Sequence, residues 1–119
     1  MPNPTLIKNY IGQTPIPEHR FVKIAPGDNE VALPGANGAP VLGASTFVPL
    51  KTAMGRVDII HAGIAALRAG GAIDRGADVS TDAQGNAITK PTTGTPAVAG
   101  VALEKATAAG DIIDVLLQR

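Results

Sequence analysis

Few residues in this chain could do chemistry: His19 and His61, a serine within Gly43-Ala-Ser-Thr-Phe47, and a row of acids at Asp74, Asp78 and Asp82. A nucleophilic hydroxyl needs a neighbouring base and a third group to orient that base. The stretch around Ser45 lacks the second glycine of a nucleophile elbow, and neither histidine has a supporting motif. The acids recur every four residues, a spacing that aligns carboxylates on one side of an element. A calcium loop alternates its oxygen ligands more closely and ends on a glutamate. With Ile73, Ala77 and Val79 turned inward, the acids read instead as the solvated side of a strand. Asp82-Ala-Gln-Gly-Asn86 reads as a turn with Gly85 or Asn86 at positive φ. Gly70, Gly71 and Gly76 do not have the spacing of a phosphate-cradling loop, and read as turn glycines. Glu104 and Lys105 read as solubilising residues of an exposed turn. The sequence thus assigns no catalytic residue, no metal ligand and no cofactor.

Composition bounds the class of molecule that must position these residues. A chain of 119 residues suits one domain, burying roughly two thirds of the surface of its unfolded form. The apolar fraction is 45%, with three aromatics, Tyr10, Phe21 and Phe47. The core must therefore be built from Val, Ile, Leu and Ala, and association is expected to add stability. Ten basic residues balance ten acidic ones, which leaves no basic face for nucleic acid. The absence of cysteine excludes disulfides and thiolate metal sites and leaves the compartment open. Val31–Leu50 carries no charge, but Pro34, Pro40, Pro49 and three glycines rule it out as a membrane span. The N-terminus, with Lys8 and no apolar run behind it, does not read as a secretory signal.

Residues 1–19 include Pro2, Pro4, Pro15 and Pro17. Proline fixes φ and removes a ladder donor, so this segment is expected as an extended arm outside the central ladder, with at most an edge strand at Thr5–Ile11. Beyond it, short apolar runs bounded by Gly, Pro, Asn and Asp predict strands at Arg20–Ile24, Glu30–Leu33, Val41–Leu50, Val57–Ile60, Ile64–Leu67, Ile73–Val79 and Ile112–Leu117. Val41-Leu-Gly-Ala44 matches Val98-Ala-Gly-Val101 at an offset of 57, and Val57-Asp-Ile-Ile60 matches Ile113-Asp-Val-Leu116 at 56. Ala25–Asp28 sits opposite Ala83–Asn86 at 58. These matches predict two pseudo-repeated β units, about 20–67 and 77–119, within one β domain at 20–119. Val101–Ala109 has helix formers, but its counterpart Ala44–Ala53 is a poor helix, so both read as extended or a single turn. The fold class is all-β.

Gly71-Ala-Ile-Asp-Arg-Gly-Ala-Asp-Val-Ser-Thr-Asp-Ala-Gln-Gly-Asn-Ala87 and Gly100-Val-Ala-Leu-Glu-Lys-Ala-Thr-Ala-Ala-Gly-Asp-Ile-Ile-Asp-Val-Leu-Leu117 resemble a family of tailed-phage capsid cement, or head decoration, proteins. So does the stretch from Pro40-Val-Leu-Gly-Ala-Ser-Thr46 through Gly55-Arg-Val-Asp-Ile-Ile-His-Ala-Gly63, and the likeness covers about residues 20–119. The resemblance implies a small β-barrel or β-tulip-like domain on the outer surface of a mature head, often a trimer, with the major capsid protein as partner. It supplies no catalytic residues.

The leading expectation is therefore a virion structural protein that stabilises the expanded head by bridging capsid subunits, with no nucleic-acid or membrane partner. A virion-surface module binding host glycans is a second reading, which the scarcity of aromatics for stacking on sugars disfavours. A small β-fold enzyme is a third, disfavoured by the empty chemical inventory. Within the arm, Leu6, Ile7, Tyr10, Ile11 and Ile16 are too apolar for an ordinary soluble tail. An extended segment of this kind can add to a sheet edge, so these five residues are the expected capsid contact, with Tyr10 as anchor. Deleting residues 2–17 would then leave the β domain folded.

Overall fold

The computed structural model describes residues 6–117. The first residues of the expected arm, Met1–Thr5 with Pro2 and Pro4, and the final Gln118-Arg119 lie outside them. The described chain is all-β: β1 (Leu6–Gly12), β2 (Phe21–Ile24), β3 (Glu30–Ala32), β4 (Gly43–Ser45), β5 (Arg56–Arg68), β6 (Asp78–Thr81), β7 (Ala87–Thr89), β8 (Gly100–Ala102) and β9 (Ile112–Leu117). Val101–Ala109 holds the end of β8 and turns, without a helix.

Strand order is β1-β3-β2-β4-β5-β9-β8-β6-β7, and β1 also pairs with β5. That last pairing closes β1, β3, β2, β4 and the first half of β5 into a five-stranded barrel. The second half of β5 pairs with β9 from Gly63↔Leu117 to Arg68↔Ile112. With β8, β6 and β7 it curls into a second ring, which returns to β5 through the single parallel bridge Ala69↔Ala87.

The two rings repeat one another pair by pair. Ala44↔Ile60 and Ser45↔Ile59 join β4 to β5, and Val101↔Leu116 and Ala102↔Val115 join β8 to β9. Phe21↔Ala44 and Val22↔Gly43 recur as Asp78↔Val101 and Val79↔Gly100. The bridge Ile16↔Leu50 recurs as Ile73↔Ala106. Even β1 has a counterpart: Tyr10↔Val57 recurs as Leu67↔Ile113. By pairing, the units run from 6 to 60 and from 63 to 117, wider than the 20–67 and 77–119 read from the sequence. The β2–β3 turn is one residue longer than the β6–β7 turn, since Ile24↔Val31 stands where the second unit has Thr81↔Ala87. Ala25 therefore corresponds to Asp82, an offset of 57 rather than 58.

Packing follows the same plan. Tyr10, Ile16, Val22, Val31, Val57 and Ile59 form the core of the first barrel. Leu67, Ile73, Val79, Ala87, Ile113 and Val115 occupy the equivalent places in the second, joined there by Phe21 and Ala44 from the first unit. Each fully buried Val, Leu or Ile contributes about 1.5–3 kcal/mol. Alternation sets which residues go inside: in β9, Ile113, Val115 and Leu117 are buried while Ile112, Asp114 and Leu116 are exposed. A Cβ on Gly43 would fall against the Ile60 carbonyl oxygen, and one on Gly100 against that of Leu116. Both units thus need glycine at the same close approach of backbones.

Four expectations change. Of Val41–Leu50, only Gly43–Ser45 is strand, and Leu50 forms an isolated bridge. Leu6–Gly12 overlaps the edge strand expected at Thr5–Ile11 but lies within the ladder, paired with β5 from Leu6↔Ala62 to Ile11↔Arg56 and with β3 at Ile11↔Glu30 and Gly12↔Val31. Pro15 and Pro17 lie outside the paired residues, so they cost the ladder nothing. Val57–Ile60 and Ile64–Leu67 are one strand, in which Gly63 at φ 99° carries the backbone from one unit into the next. Ile73–Val79 is not one strand: Ile73 forms an isolated bridge, and a turn with Gly76 at φ 86° intervenes before β6.

Because β1 closes the barrel and brings Tyr10 and Ile16 into its core, deleting residues 2–17 is expected to abolish cooperative unfolding in urea rather than leave the domain folded. Gly43→Ala and Gly100→Ala should each lower stability by about 1–3 kcal/mol through overpacking, measured in the same way. In the turn before β9, the Asp111 carboxylate accepts the N–H groups of Thr107 and Ala108 and the Thr107 hydroxyl. The Thr107 bonds, then that from Ala108, hold its pKa below the ordinary value of 3.8. A lowered carboxylate pKa adds stability above the unfolded value and loses it as pH falls through the folded one. Asp111→Asn should therefore remove part of the stability loss seen on acidification below about pH 4.

Candidate interaction surface

The five apolar residues expected to grip a partner do not share one face. Leu6 and Ile7 are exposed, Ile11 is half-buried, and Tyr10 and Ile16 are core residues. The Tyr10 hydroxyl lies 2.6 Å from His61 Nε2, with the two rings 5.3 Å apart. Lys8 Nζ sits 5.0 Å above the phenol ring. Tyr10 therefore anchors β1 to β5 rather than projecting outward. Beside it, Asn9 Nδ2 donates to Asp58 Oδ1 at 3.0 Å and Asn9 Oδ1 accepts from Arg56 Nη1 at 3.2 Å, which makes a small polar patch between Ile7 and Ile11.

The residues considered for chemistry serve the fold. Ser45 Oγ donates to the Pro17 carbonyl at 2.8 Å and accepts the Arg20 N–H at 3.0 Å. His19 Nδ1 lies 3.1 Å from the Ala66 carbonyl, and the Arg68 N–H reaches the His19 carbonyl. Asp74 and Asp78 are exposed. Asp82 is not part of a solvated row, however. Its carboxylate accepts the N–H groups of Gln84 and Asn86 and the Asn86 amide, at 3.0, 2.8 and 3.0 Å. Gly85, at φ 84°, completes that turn. Among the described residues, no three His, Asp or Glu side chains gather as metal ligands.

The Asp82 turn is where the units meet. The Phe21 N–H donates to the Gly85 carbonyl at 2.7 Å, Gly35 N–H to Ala83 at 2.9 Å and Gly38 N–H to Thr81 at 2.8 Å. Arg20 Nη1 donates to the Gln84 carbonyl and Arg68 Nη1 to Asn86 Oδ1, both at 3.2 Å. Burial, and then the like charge of Arg68, hold the Arg20 pKa below its ordinary value. Arg20 Nε is buried without a hydrogen-bond partner. Arg20 thus reaches across the seam to the Asp82 turn, while Arg68 braces that turn from within the second unit.

Among the described residues, several large apolar side chains also face outward. Besides Leu6 and Ile7, the large exposed hydrophobics are Ile24, Phe47, Val48, Met54, Ile112 and Leu116. Ile24 also lines a shallow concavity of about 400 Å³ with Lys23, Pro34, Ala39, Pro40, Val41 and Leu42. Sequence reasoning passed over all six. Ile112 and Leu116 were readable from the alternation of β9, where their neighbours Ile113 and Val115 go inside.

The family model of phage cement proteins matches residues 14–117. The chain belongs to the phage cement protein family. It is thus a virion-associated structural protein of a phage, and its partner is the phage capsid. No curated protein gives a significant match. Among solved structures, the N base of the head fiber gp8.5 of bacteriophage phi29 is similar in fold, with a TM-score of 0.60 over 97% of this chain and 95% of that one, at 17% identity.

Two substitutions separate the packing role of this cement protein's polar residues from surface effects. Tyr10→Phe removes the bond to His61 and should lower stability by about 1 kcal/mol. Asp82→Ala leaves three donors without their acceptor and should cost about 2 kcal/mol. Urea unfolding of both variants checks the order.

Proposed function

We propose that this protein is a decoration protein of the expanded head, seated on the outer surface of the capsid and bridging major capsid protein subunits. The observation that carries this reading is the family match over residues 14–117, joined to eight large exposed hydrophobics among the described residues. Contiguous apolar surface marks interaction sites where single scattered residues do not, and Leu6 with Ile7 and Phe47 with Val48 are exposed as neighbouring pairs. Bridging would stabilise the shell by mass action, since a ligand that binds only the assembled lattice stabilises that lattice. A trimer seated on local three-fold axes would multiply weak contacts into avidity.

Within this reading, Leu6 and Ile7, with half-buried Ile11 beside them, take part in the capsid contact. Tyr10 and Ile16 support it from beneath by holding β1 in the barrel. Purified protein should co-sediment with expanded heads and not with unassembled capsid subunits. Equal affinity for free subunits would point to an assembly chaperone instead. The double substitution Leu6→Asp/Ile7→Asp should leave folding intact and weaken head binding at least tenfold, about 1.4 kcal/mol.

A further inference from the structure

The two units offer an internal comparison: where they share a ladder position but differ in surface residue, the fold does not dictate the difference. The largest such difference lies in the connection from β4 to β5 against that from β8 to β9. Its near anchor is common to both, since Ser45 N–H bonds to the Arg20 carbonyl and Ala102 N–H to that of Ala77. Its next anchor is also common, the bridges Ile16↔Leu50 and Ile73↔Ala106. Between these anchors the second unit has Leu103-Glu104-Lys105, whereas the first has Thr46-Phe47-Val48-Pro49, one residue longer.

The second unit's loop is tied down. The Leu103 N–H donates to the Asp114 carbonyl, and Glu104 Oε1 accepts the Asp114 N–H at 2.8 Å. The first unit's loop is held at its start, where the His19 N–H donates to the Thr46 carbonyl at 3.1 Å, and beyond that it folds on itself: the Val48 N–H donates to Thr46 Oγ1 at 3.3 Å, and Pro49 fixes the next φ. Phe47 and Val48 stand out in solvent at 76% and 58% exposure, where the other unit carries Glu104 and Lys105. Further along, Met54 holds φ 64° and Gly110 holds φ 97° at matching points. Met54 N–H donates to the Gly12 carbonyl, and Gly110 N–H to that of Ala69. A non-glycine in the left-handed region is strained, yet the first unit keeps an exposed Met there.

We propose that the Thr46–Met54 connection, tipped by Phe47 and Val48, is a preformed apolar prong by which this chain seats on the capsid shell. The inference rests on the decoration reading above and deepens it by naming a contact. The shell is a better occupant than a second copy, because three side chains fall well short of the roughly 800 Å² per partner of a stable pair. A small preordered prong suits a seam between subunits of a lattice, where repeated engagement adds avidity. The alternative in which these residues serve folding is countered by the second unit, which closes the same connection with a Glu, a Lys and a Gly.

The test places the second unit's residues in the first, as F47E/V48K/M54G. A second variant replaces residues 46–49 by the Leu-Glu-Lys of the other loop. Both use side chains that this loop geometry already accommodates, and urea unfolding checks that they fold. With expanded heads, wild-type protein should bind and each folded variant should bind at least thirtyfold more weakly. Binding by the variants within threefold of wild type overturns the prong while leaving the decoration reading standing. Failure of the wild-type protein itself to bind heads overturns the decoration reading and the prong with it. Sedimentation velocity supplies the remaining arm: a wild-type oligomer that the substitutions dissolve into monomers overturns the shell as occupant in favour of a second copy.

Discussion

Everything in this molecule hangs on the backbone hydrogen bonds of β5. In thirteen residues it is the last strand of one barrel and the first of the next, pairing with β1 and β4 along its first half and with β9 along its second. Buried amide groups must find partners, and here one strand supplies them to both units. Val57 and Ile59 point into the first core, and Ala65 and Leu67 into the second. The side chains inside are small, so neither core is rich on its own. The shared strand, and the Phe21–Gly85 seam beside it, make one body of two modest ones.

That economy explains what the sequence discloses and what it hides. Turn residues announced the hairpins, because Gly, Pro and Asn act within a few positions of one another. The all-β class followed from the short apolar runs. The offsets of 57 and 56 stood out where both units keep backbone in close contact, at Gly43 and Gly100 and along Val57–Ile60 and Ile113–Leu116. A strand at Thr5–Ile11 was legible, but the flanking prolines suggested an edge, and the place of β1 between β3 and β5 was not legible. Its counterpart, Ile64–Arg68, shares little with it beyond Ile7 and Ile64. Whether an apolar residue faces core or solvent depends on its pairing partner, and Tyr10 was misplaced for that reason.

The surface was harder still. No motif marks an apolar contact, since its chemistry is only the absence of charge. Phe47 and Val48 become conspicuous once the ladder sets them opposite Glu104 and Lys105. A chain built twice carries its own control, and a change at one copy of a position separates what the fold needs from what a partner could use.

The register of β5 has one more result. Leu6 stands opposite Ala62, and Leu117 stands opposite Gly63, so the first and last described residues reach consecutive positions on the same strand. The described path through the molecule therefore returns to where it began. A circular permutant of the described segment, with Leu117 joined to Leu6 by a flexible linker and the break moved to the exposed Thr92–Gly94 turn, would keep every described ladder.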